Sequence, residues 1–131
     1  QQKMVAEGAG AVSVAAAMFG KVPVKGRKTV CVVSGGNIDV TILNRVINRG
    51  LAKSGRSCTF TVELEDKPGQ LVGVSQIVAR MGGNVVSVHH ERNDDSARVT
   101  ACQLRVKVET RNEQHIEEIR KALTEQGFKV N

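Results

Sequence analysis

The sequence predicts an α+β fold made of two units of different character. Residues 57–131 show strand-like and helix-like patterns in the order βαββαβ, whereas residues 1–54 give a helix, an apolar run and a second helix. Charge supports the same division, because residues 1–56 carry nine basic and two acidic residues and residues 57–131 carry ten basic and eleven acidic ones. We therefore expect an α/β remnant of helix-strand-helix type, followed by a complete domain.

Composition excludes several classes of function. The chain has 131 residues, of which 40% are hydrophobic and 24% charged, so it is typical of a globular protein. It has no Trp or Tyr, and the basic residues of its first half are scattered, so we expect no nucleic-acid partner. No apolar run reaches transmembrane length, so we expect no membrane contact. Three widely spaced cysteines fit no disulfide framework and favour reduced thiols in a cytoplasmic protein.

The first strand and helix of the second unit follow from hydrophobic periodicity. In SCTFTVELE, residues 57–65, every second side chain from Cys58 is apolar, which predicts a strand with one buried face. The segment DKPGQ interrupts this alternation. Apolar residues then recur at helical spacing until Gly82-Gly83, which is typical of a helix end.

The remaining elements complete the βαββαβ order. They are a strand in NVVSVHHE (84–91), a turn in NDDS (93–96), a strand in ACQLRVKVE (101–109), a helix in RNEQHIEEIRKALTEQG (111–127) and a strand in FKV (128–130). This order is the ferredoxin-like arrangement, with four antiparallel strands and both helices on one face. We expect the other face to carry Thr59, Thr61, Val85, Ser87 and Gln103.

Neither the histidines nor the cysteines predict a metal site or a disulfide. Adjacent residues of a strand point to opposite faces, so His89 and His90 cannot chelate one ion together, and His115 lies on a polar helix. Cys58 and Cys102 begin neighbouring antiparallel strands, which places them on the order of 15–20 Å apart. That separation is too large for a bridge.

In residues 1–54 the pattern predicts a helix at about 9–19, a strand at 29–33 and a helix at 38–53. The run TVCVV does not alternate, which predicts burial on both faces, as in a parallel sheet. Its neighbouring strands must come from chain outside this sequence or from another molecule. The turn Ser34-Gly35-Gly36-Asn37 follows, and its glycines either admit a ligand close to the backbone or only connect strand to helix.

Residues 57–131 resemble an ACT domain, the small regulatory module that binds amino acids, most specifically in LEDKPGQLVGVSQIVARMGGNVVSV. Free N–H groups and the positive dipole end of the 70–82 helix suit a carboxylate, and Asp66 could accept from an ammonium group. The resemblance implies an amino-acid effector (isoleucine, valine, threonine or serine) and a homodimer or higher homo-oligomer. The expected effector-binding residues are Asp66, Gly69, Gln70, Leu71, Asn84, Val85 and Val86. A plain helix start at the DKPG turn is the alternative.

Residues 1–54 resemble the end of the catalytic domain in fold-type II pyridoxal-phosphate enzymes of the threonine ammonia-lyase and serine racemase group. The matching pieces are KMVAEGAGAVSVAA and VCVVSGGNID. The resemblance implies that Ser34 hydrogen-bonds the pyridine nitrogen of pyridoxal phosphate, with Gly35 and Gly36 beneath the ring and Glu7 near the cofactor.

The sequence also departs from that family. Nothing matches its Schiff-base lysine motif of Ser-x-Lys type or its glycine-rich phosphate loop, so we expect this chain alone to be inactive and to hold no pyridoxal phosphate. The expectation is a C-terminal fragment, with a catalytic-domain tail at 1–54 and an ACT regulatory domain at 57–131. A free-standing ACT-type sensor, or one part of a pyridoxal enzyme completed by another chain, remains an alternative. The identity of the effector and the sign of regulation stay open.

Overall fold

The computed structural model describes residues 4–92 and 101–131, and it separates into two compact units, Gln1–Val46 and Ile47–Asn131. Its elements are α1 (Val12–Met18), α2 (Val40–Lys53), β1 (Ser57–Glu65), α3 (Gln70–Arg80), β2 (Asn84–Arg92), β3 (Ala101–Glu109), α4 (Glu113–Glu125) and β4 (Lys129–Val130). The division between the units falls inside α2. The sequence boundary at 54–57 marks instead the start of β1, and as a domain boundary it stays a prediction.

The second unit confirms the ferredoxin-like order. Its four strands form one sheet in the order β2-β3-β1-β4, and every neighbouring pair is antiparallel. The predicted turn at 93–96 lies outside the described residues. Because β1 and β2 both run against β3, they run parallel to each other, and their first residues lie at the same end of the sheet.

The core lies between the sheet and the two helices α3 and α4. Alternate residues of β1 and β3 point into it, as their periodicity predicts, and both helices add their apolar stripes to the same cluster. The buried apolar residues are Phe60, Val62, Leu64, Val74, Ile77, Val78, Cys102, Leu104, Val106, Val108, Ile116, Ile119 and Leu123. One continuous cluster of this kind shows that both helices cover one face of the sheet.

A β-bulge changes the predicted facing of β2. The register shifts between Val85 and Ser87, with Val85 opposite Val108 and Ser87 opposite Lys107. Val85 therefore packs against the core, and its predicted position on the outer face is wrong. Strict alternation failed here because the bulge inserts one residue, Val86, which is half exposed.

The C-terminus of α3 is fixed by the predicted Gly82-Gly83 pair. Gly82 has a φ of +80°, and the Gly83 N–H donates to the Val78 carbonyl at 2.9 Å, which closes the last turn in a Schellman motif. A Cβ on Gly83 would come within 2.9 Å of side-chain carbons of Val108 and Val78. The second glycine is therefore required by close packing against β3.

His115 is buried rather than exposed on a polar helix face. It is 2% exposed, and its Nδ1 accepts the Arg111 N–H at 3.1 Å while its Nε2 lies 2.8 Å from the Met81 carbonyl oxygen. These partners fix a neutral ring that donates from Nε2. His115 therefore joins the start of α4 to the end of α3.

The first unit does not form the strand predicted at 29–33. Residues 28–39 have no regular secondary structure, and Val30 and Val32 are 90% and 75% exposed. A strand needs a neighbouring strand to pair with, and the described residues supply none to this run. The helix α1 is also shorter than predicted and buries none of its residues.

Candidate functional site

The turn between β1 and α3 presents the start of a helix without a side-chain cap. Gly69 occupies the cap position with a φ of +91°, and no side chain accepts a hydrogen bond there. The Gly73 N–H donates to the Gly69 carbonyl at 3.1 Å, which begins the helical ladder. Glycine is needed at residue 69 because other side chains disfavour a positive φ, and a Cβ there would meet nothing within 4 Å.

The predicted anion-binding amides need one correction. The Gln70 N–H already donates to the Lys67 carbonyl, although at a long 3.5 Å. Among the described residues no backbone acceptor is seen for the N–H groups of Leu71 and Val72, which belong to the same first turn. Leu71 and Val72 are 45% and 56% exposed, so their amides are the better donors for a carboxylate.

Asp66 lies at the end of β1, one turn before this helix start. It is exposed, and its carboxylate lies within 4.8 Å of a ring nitrogen of His90 and of the Cys102 sulfur. A carboxylate, an imidazole and a thiol therefore lie close together at this end of the sheet. Sequence reasoning identified Asp66 but did not bring His90 or Cys102 to it.

Asn84 lies at the opposite end of the sheet from Asp66. It is paired with Glu109, which is also opposite Ser57, the first residue of β1. Its Nδ2 donates to the Glu109 carboxylate at 2.9 Å. Since β1 has nine residues, the two ends are separated by roughly 25–30 Å at the usual rise per residue. One chain therefore does not bring Asn84 and Asp66 together.

Val85 and Val86, both expected to bind the effector, do not lie on one surface. The bulge points Val85 into the core and leaves Val86 50% exposed. Of the two, Val86 is the one whose side chain a ligand or a partner could contact.

The outer face of the sheet is polar, as predicted for most of its residues. An Arg105–Glu91 ion pair at 3.5 Å lies on it, with both side chains about half exposed. A shallow groove of about 260 Å³ on this face is lined by Thr59, Ser87, His89, Glu91, Arg105 and Lys107. His89 lines this groove and so lies on the outer face. His90 is the next residue of the strand and lies on the opposite face.

In the first unit, the two sequence pieces that carry the pyridoxal-enzyme resemblance lie against each other. The Glu7 N–H donates to the Gly35 carbonyl at 3.1 Å, and a Cβ on Gly35 would meet the Glu7 carboxylate at 2.6 Å. A Cβ on Gly10 would overlap the Ser34 carbonyl oxygen at 1.4 Å. The glycines of both pieces are therefore needed for close backbone packing, and Gly35 also has a φ of +73°.

The Ser34 hydroxyl is chemically suited to pair with the ring nitrogen of a cofactor. The two pieces alone do not make a complete cofactor site, because the sequence has no matching lysine motif or phosphate loop. Ser34 is exposed at the turn, and the Glu7 carboxylate lies beside Gly35, the next residue. Further along, Asp39 accepts hydrogen bonds from the hydroxyl and N–H of Thr41 and from the Ile42 N–H at 3.3 Å. These bonds, with the Thr41 hydroxyl first, lower the pKa of Asp39 and stabilise the start of α2.

The cysteines lie as predicted. Cys102 is opposite Leu64 in the β1–β3 register, whereas Cys58 is opposite Val108, so they lie at opposite ends of the paired stretch. Burial raises the pKa of the Cys58 thiol, which favours its protonated form. Cys102 is 2% exposed, and its thiol lies 3.6 Å from the Leu64 carbonyl oxygen.

Comparison with known proteins identifies the second unit. The ACT domain family matches residues 59–125. The chain is 45% identical over 130 residues to L-threonine ammonia-lyase of Thermotoga maritima and 38% identical over 129 residues to that of Geobacter sulfurreducens. It is covered almost entirely in both cases but spans only 32% of the length of each relative.

Other similarities are confined to part of the chain. The biosynthetic L-threonine dehydratase of Bacillus subtilis is 43% identical over 68 residues, which are 52% of this chain and 16% of that protein. The ACT domain of a Bacillus anthracis prephenate dehydrogenase is 20% identical, with a TM-score of 0.42 over 56% of this chain and the whole of that one. Among the described residues, no helix is both long and apolar enough to cross a membrane.

Proposed function

The chain belongs to the ACT domain family, and we propose that residues 57–131 bind an amino-acid effector and regulate a threonine ammonia-lyase. The observation that carries this proposal is the match to the ACT domain family over residues 59–125. The same chain is similar along almost its whole length to proteins named L-threonine ammonia-lyase. The parent reaction would be conversion of L-threonine to 2-oxobutanoate and ammonia in a cytoplasmic, pyridoxal-phosphate-dependent enzyme.

The effector carboxylate is proposed to lie at the start of α3. Leu71 and Val72 are exposed residues whose amides lie at the positive end of an 11-residue helix. The effector ammonium would meet the carboxylate of Asp66, which precedes the same turn. Isoleucine, valine, threonine and serine share these two charged groups, so the turn explains recognition of the class but not the choice within it.

The proposed site is completed by a second copy of the chain. Asn84 lies about one strand length from Asp66 within a protomer, so both can contact one small ligand only if they come from different copies. The exposed side chains of Leu71, Val72 and Val86 would then be covered by the partner and the effector. This supports a homodimer or higher homo-oligomer formed through the ACT domain.

Residues 1–54 are proposed to be the tail of the catalytic domain. Pyridoxal phosphate, when bound in the parent, supplies the electron sink for the bond changes at the amino-acid α-carbon. From this chain, Ser34 would offer a neutral hydroxyl to the ring nitrogen, and Glu7 would lie close by. The sequence offers no lysine motif of the family, so the chain by itself is proposed to be without activity.

Calorimetry with the four amino acids tests the effector site. Asp66→Ala is expected to weaken binding by about 1.5–3 kcal/mol, because a charged hydrogen bond is lost. Glu65→Ala is the matched control, since it removes the adjacent exposed carboxylate, which pairs with Lys67. If none of the four amino acids binds the wild type, or if both variants lose the same affinity, the turn does no more than begin the helix.

A second pair of variants tests the amides. Leu71→Glu adds a negative charge to the first turn of α3, which favours the helix but repels an effector carboxylate. Leu71→Gln has nearly the same size without the charge. The Glu variant is expected to lose much more binding than the Gln variant, and neither should lose thermal stability. Gly69→Val is a poor choice because the positive φ of residue 69 would strain any branched side chain.

A full-length reading frame distinguishes the proposal from a free-standing sensor. A Ser-x-Lys motif and a glycine-rich loop encoded upstream in the same frame would support the regulatory domain of a single enzyme. An independent start immediately before residue 1 would support the sensor or a two-chain enzyme.

A further inference from the structure

The far end of the sheet from Asn84 brings together three different metal-binding side chains. Cys102 of β3 is opposite Leu64 in β1, and His90 of β2 is opposite Leu104 in β3. Leu64 and Leu104 both point into the core, so His90 and Cys102 share the helix-covered side of the sheet with them. Asp66 follows Leu64 by two residues, which places it on the same side at the end of its strand.

The distances between the three side chains suit a metal ion. One ligand atom from each of Asp66, His90 and Cys102 lies within 4.8 Å of the others. In a tetrahedral zinc site with bonds of about 2.0–2.3 Å, neighbouring ligand atoms are about 3.3–3.7 Å apart. A contraction of at most about 1.5 Å is needed, and the two exposed side chains, Asp66 and His90, can supply it by small rotamer changes.

The donor set selects the metal. Thiolate, imidazole and carboxylate together match zinc, whereas calcium and magnesium prefer oxygen ligands alone. Three protein ligands leave a fourth position for water or another ligand, as in zinc sites that are open to solvent. Cys102 is almost fully buried and is anchored in the core, so the site has one rigid ligand and two accessible ones.

We propose that Asp66, His90 and Cys102 form a zinc site at the C-terminal end of β1, with one coordination position open, and that zinc competes with the effector ammonium for the Asp66 carboxylate. Zinc binding converts the Cys102 thiol to thiolate, so the Zn–S bond forms as the S–H bond breaks and the proton goes to solvent. The contact between the thiol and the Leu64 carbonyl is lost in the same step. Zinc affinity is therefore expected to rise with pH.

The chain contains a matched control for each of two ligands. His89 is the neighbour of His90 on the same strand but lines the groove on the opposite face. Cys58 is opposite Val108 at the other end of the sheet. His89→Ala and Cys58→Ala thus remove the same chemical groups without touching the proposed site.

Zinc affinity of the tag-free chain, measured by competition with a chromogenic chelator, tests the proposal. The wild type is expected to bind one zinc ion per chain, and His90→Ala to weaken binding at least about tenfold, since loss of even an outer-shell partner costs that much. Cys102→Ala should have a similar effect, and His89→Ala and Cys58→Ala none. No zinc binding by the wild type, or equal losses in His89→Ala and His90→Ala, would overturn the site.

Cobalt substitution provides a readout that does not depend on variant stability. Cobalt in the wild-type chain is expected to give a thiolate-to-metal charge-transfer band that is kept in Cys58→Ala. A cobalt complex without this band would exclude Cys102 as a ligand. Because Leu71→Glu leaves all three ligands in place, it should lose the amino acid but keep zinc, which separates failure of this site from failure of the effector site.

Discussion

The two units of the chain differ in whether their apolar residues find partners. In Ile47–Asn131, Phe60, Val62 and Leu123 are completely buried in one cluster between sheet and helices. In Gln1–Val46, Phe19 and Val30 remain 70% and 90% exposed. Both regions contain apolar runs in the sequence, but among the described residues only those of the second are covered by packed elements.

The difference shows that a strand pattern specifies a strand only when its neighbours are present. TVELE of β1 and TVCVV at 29–33 both contain β-branched residues, and the second contains more of them. The first pairs with β3 and β4, whereas the second pairs with no strand among the described residues, although the Ser13 hydroxyl donates to its Val32 carbonyl. An exposed apolar run without a paired strand is expected where the other strands of its sheet come from chain outside this sequence or from another molecule.

Replacement of matched phenylalanines gives the largest expected contrast. Phe60→Ala removes a fully buried ring and should lower the free energy of unfolding by about 3–5 kcal/mol. Phe19→Ala removes an exposed ring and should change it by less than about 0.5 kcal/mol. Urea unfolding followed by circular dichroism measures both. A comparable loss in Phe19→Ala would mean that the first unit has a core of its own.

Histidine substitutions sharpen the same comparison within the second unit. His115→Ala leaves the Met81 carbonyl and the Arg111 N–H without their partner and opens a cavity, so a loss of about 2–4 kcal/mol is expected. His89→Ala, on the exposed sheet face, should be nearly neutral. If the two variants have the same thermal midpoint, the bridge from α3 to α4 does not stabilise the domain.

The smallest effect is expected at Asp39, which caps α2. Hydrogen bonds to its carboxylate, first from the Thr41 side chain, lower its pKa from 3.8. Its contribution is therefore present above the pKa of the unfolded chain and is lost as pH falls through the lower pKa of the folded state. Helix content measured by circular dichroism should fall over that acidic range in the wild type. Asp39→Asn can still cap the helix without titrating there, so an identical acid response in that variant would exclude Asp39 as the cause.

Much of the fold of residues 57–131 was predictable because each element carries a local signal. The alternation in β1 and β3, the apolar stripes of α3 and α4 and the glycines after both helices led to the observed order. The bulge at Val86 was not predictable, since one inserted residue reverses the facing of Val85 without a clear mark in the sequence. The burial of His115 was missed because its partners, Met81 and Arg111, are known only once the helices are packed.

The candidate sites were predictable only in part. The DKPG turn and the SGGN turn are visible as motifs, and the structure brings Glu7 to Gly35 and Gly10 to Ser34. The meeting of Asp66, His90 and Cys102 was hidden, because it depends on the register across three strands. The distance between Asp66 and Asn84 also follows from the register. Because it is too long for one small ligand to span, the proposed effector site needs two chains.

Mixing two binding-deficient variants tests most directly whether two copies share one amino-acid site. Asp66→Ala and Asn84→Ala should each bind the effector weakly as homodimers, because each removes one half of every site. In a dimer of one chain of each kind, one site has both residues intact and the other has neither. After unfolding and refolding together, calorimetry should recover about a quarter of the wild-type sites at wild-type affinity, since half of the dimers are mixed. No recovered sites in the mixture, or wild-type binding by Asn84→Ala alone, would contradict the shared site.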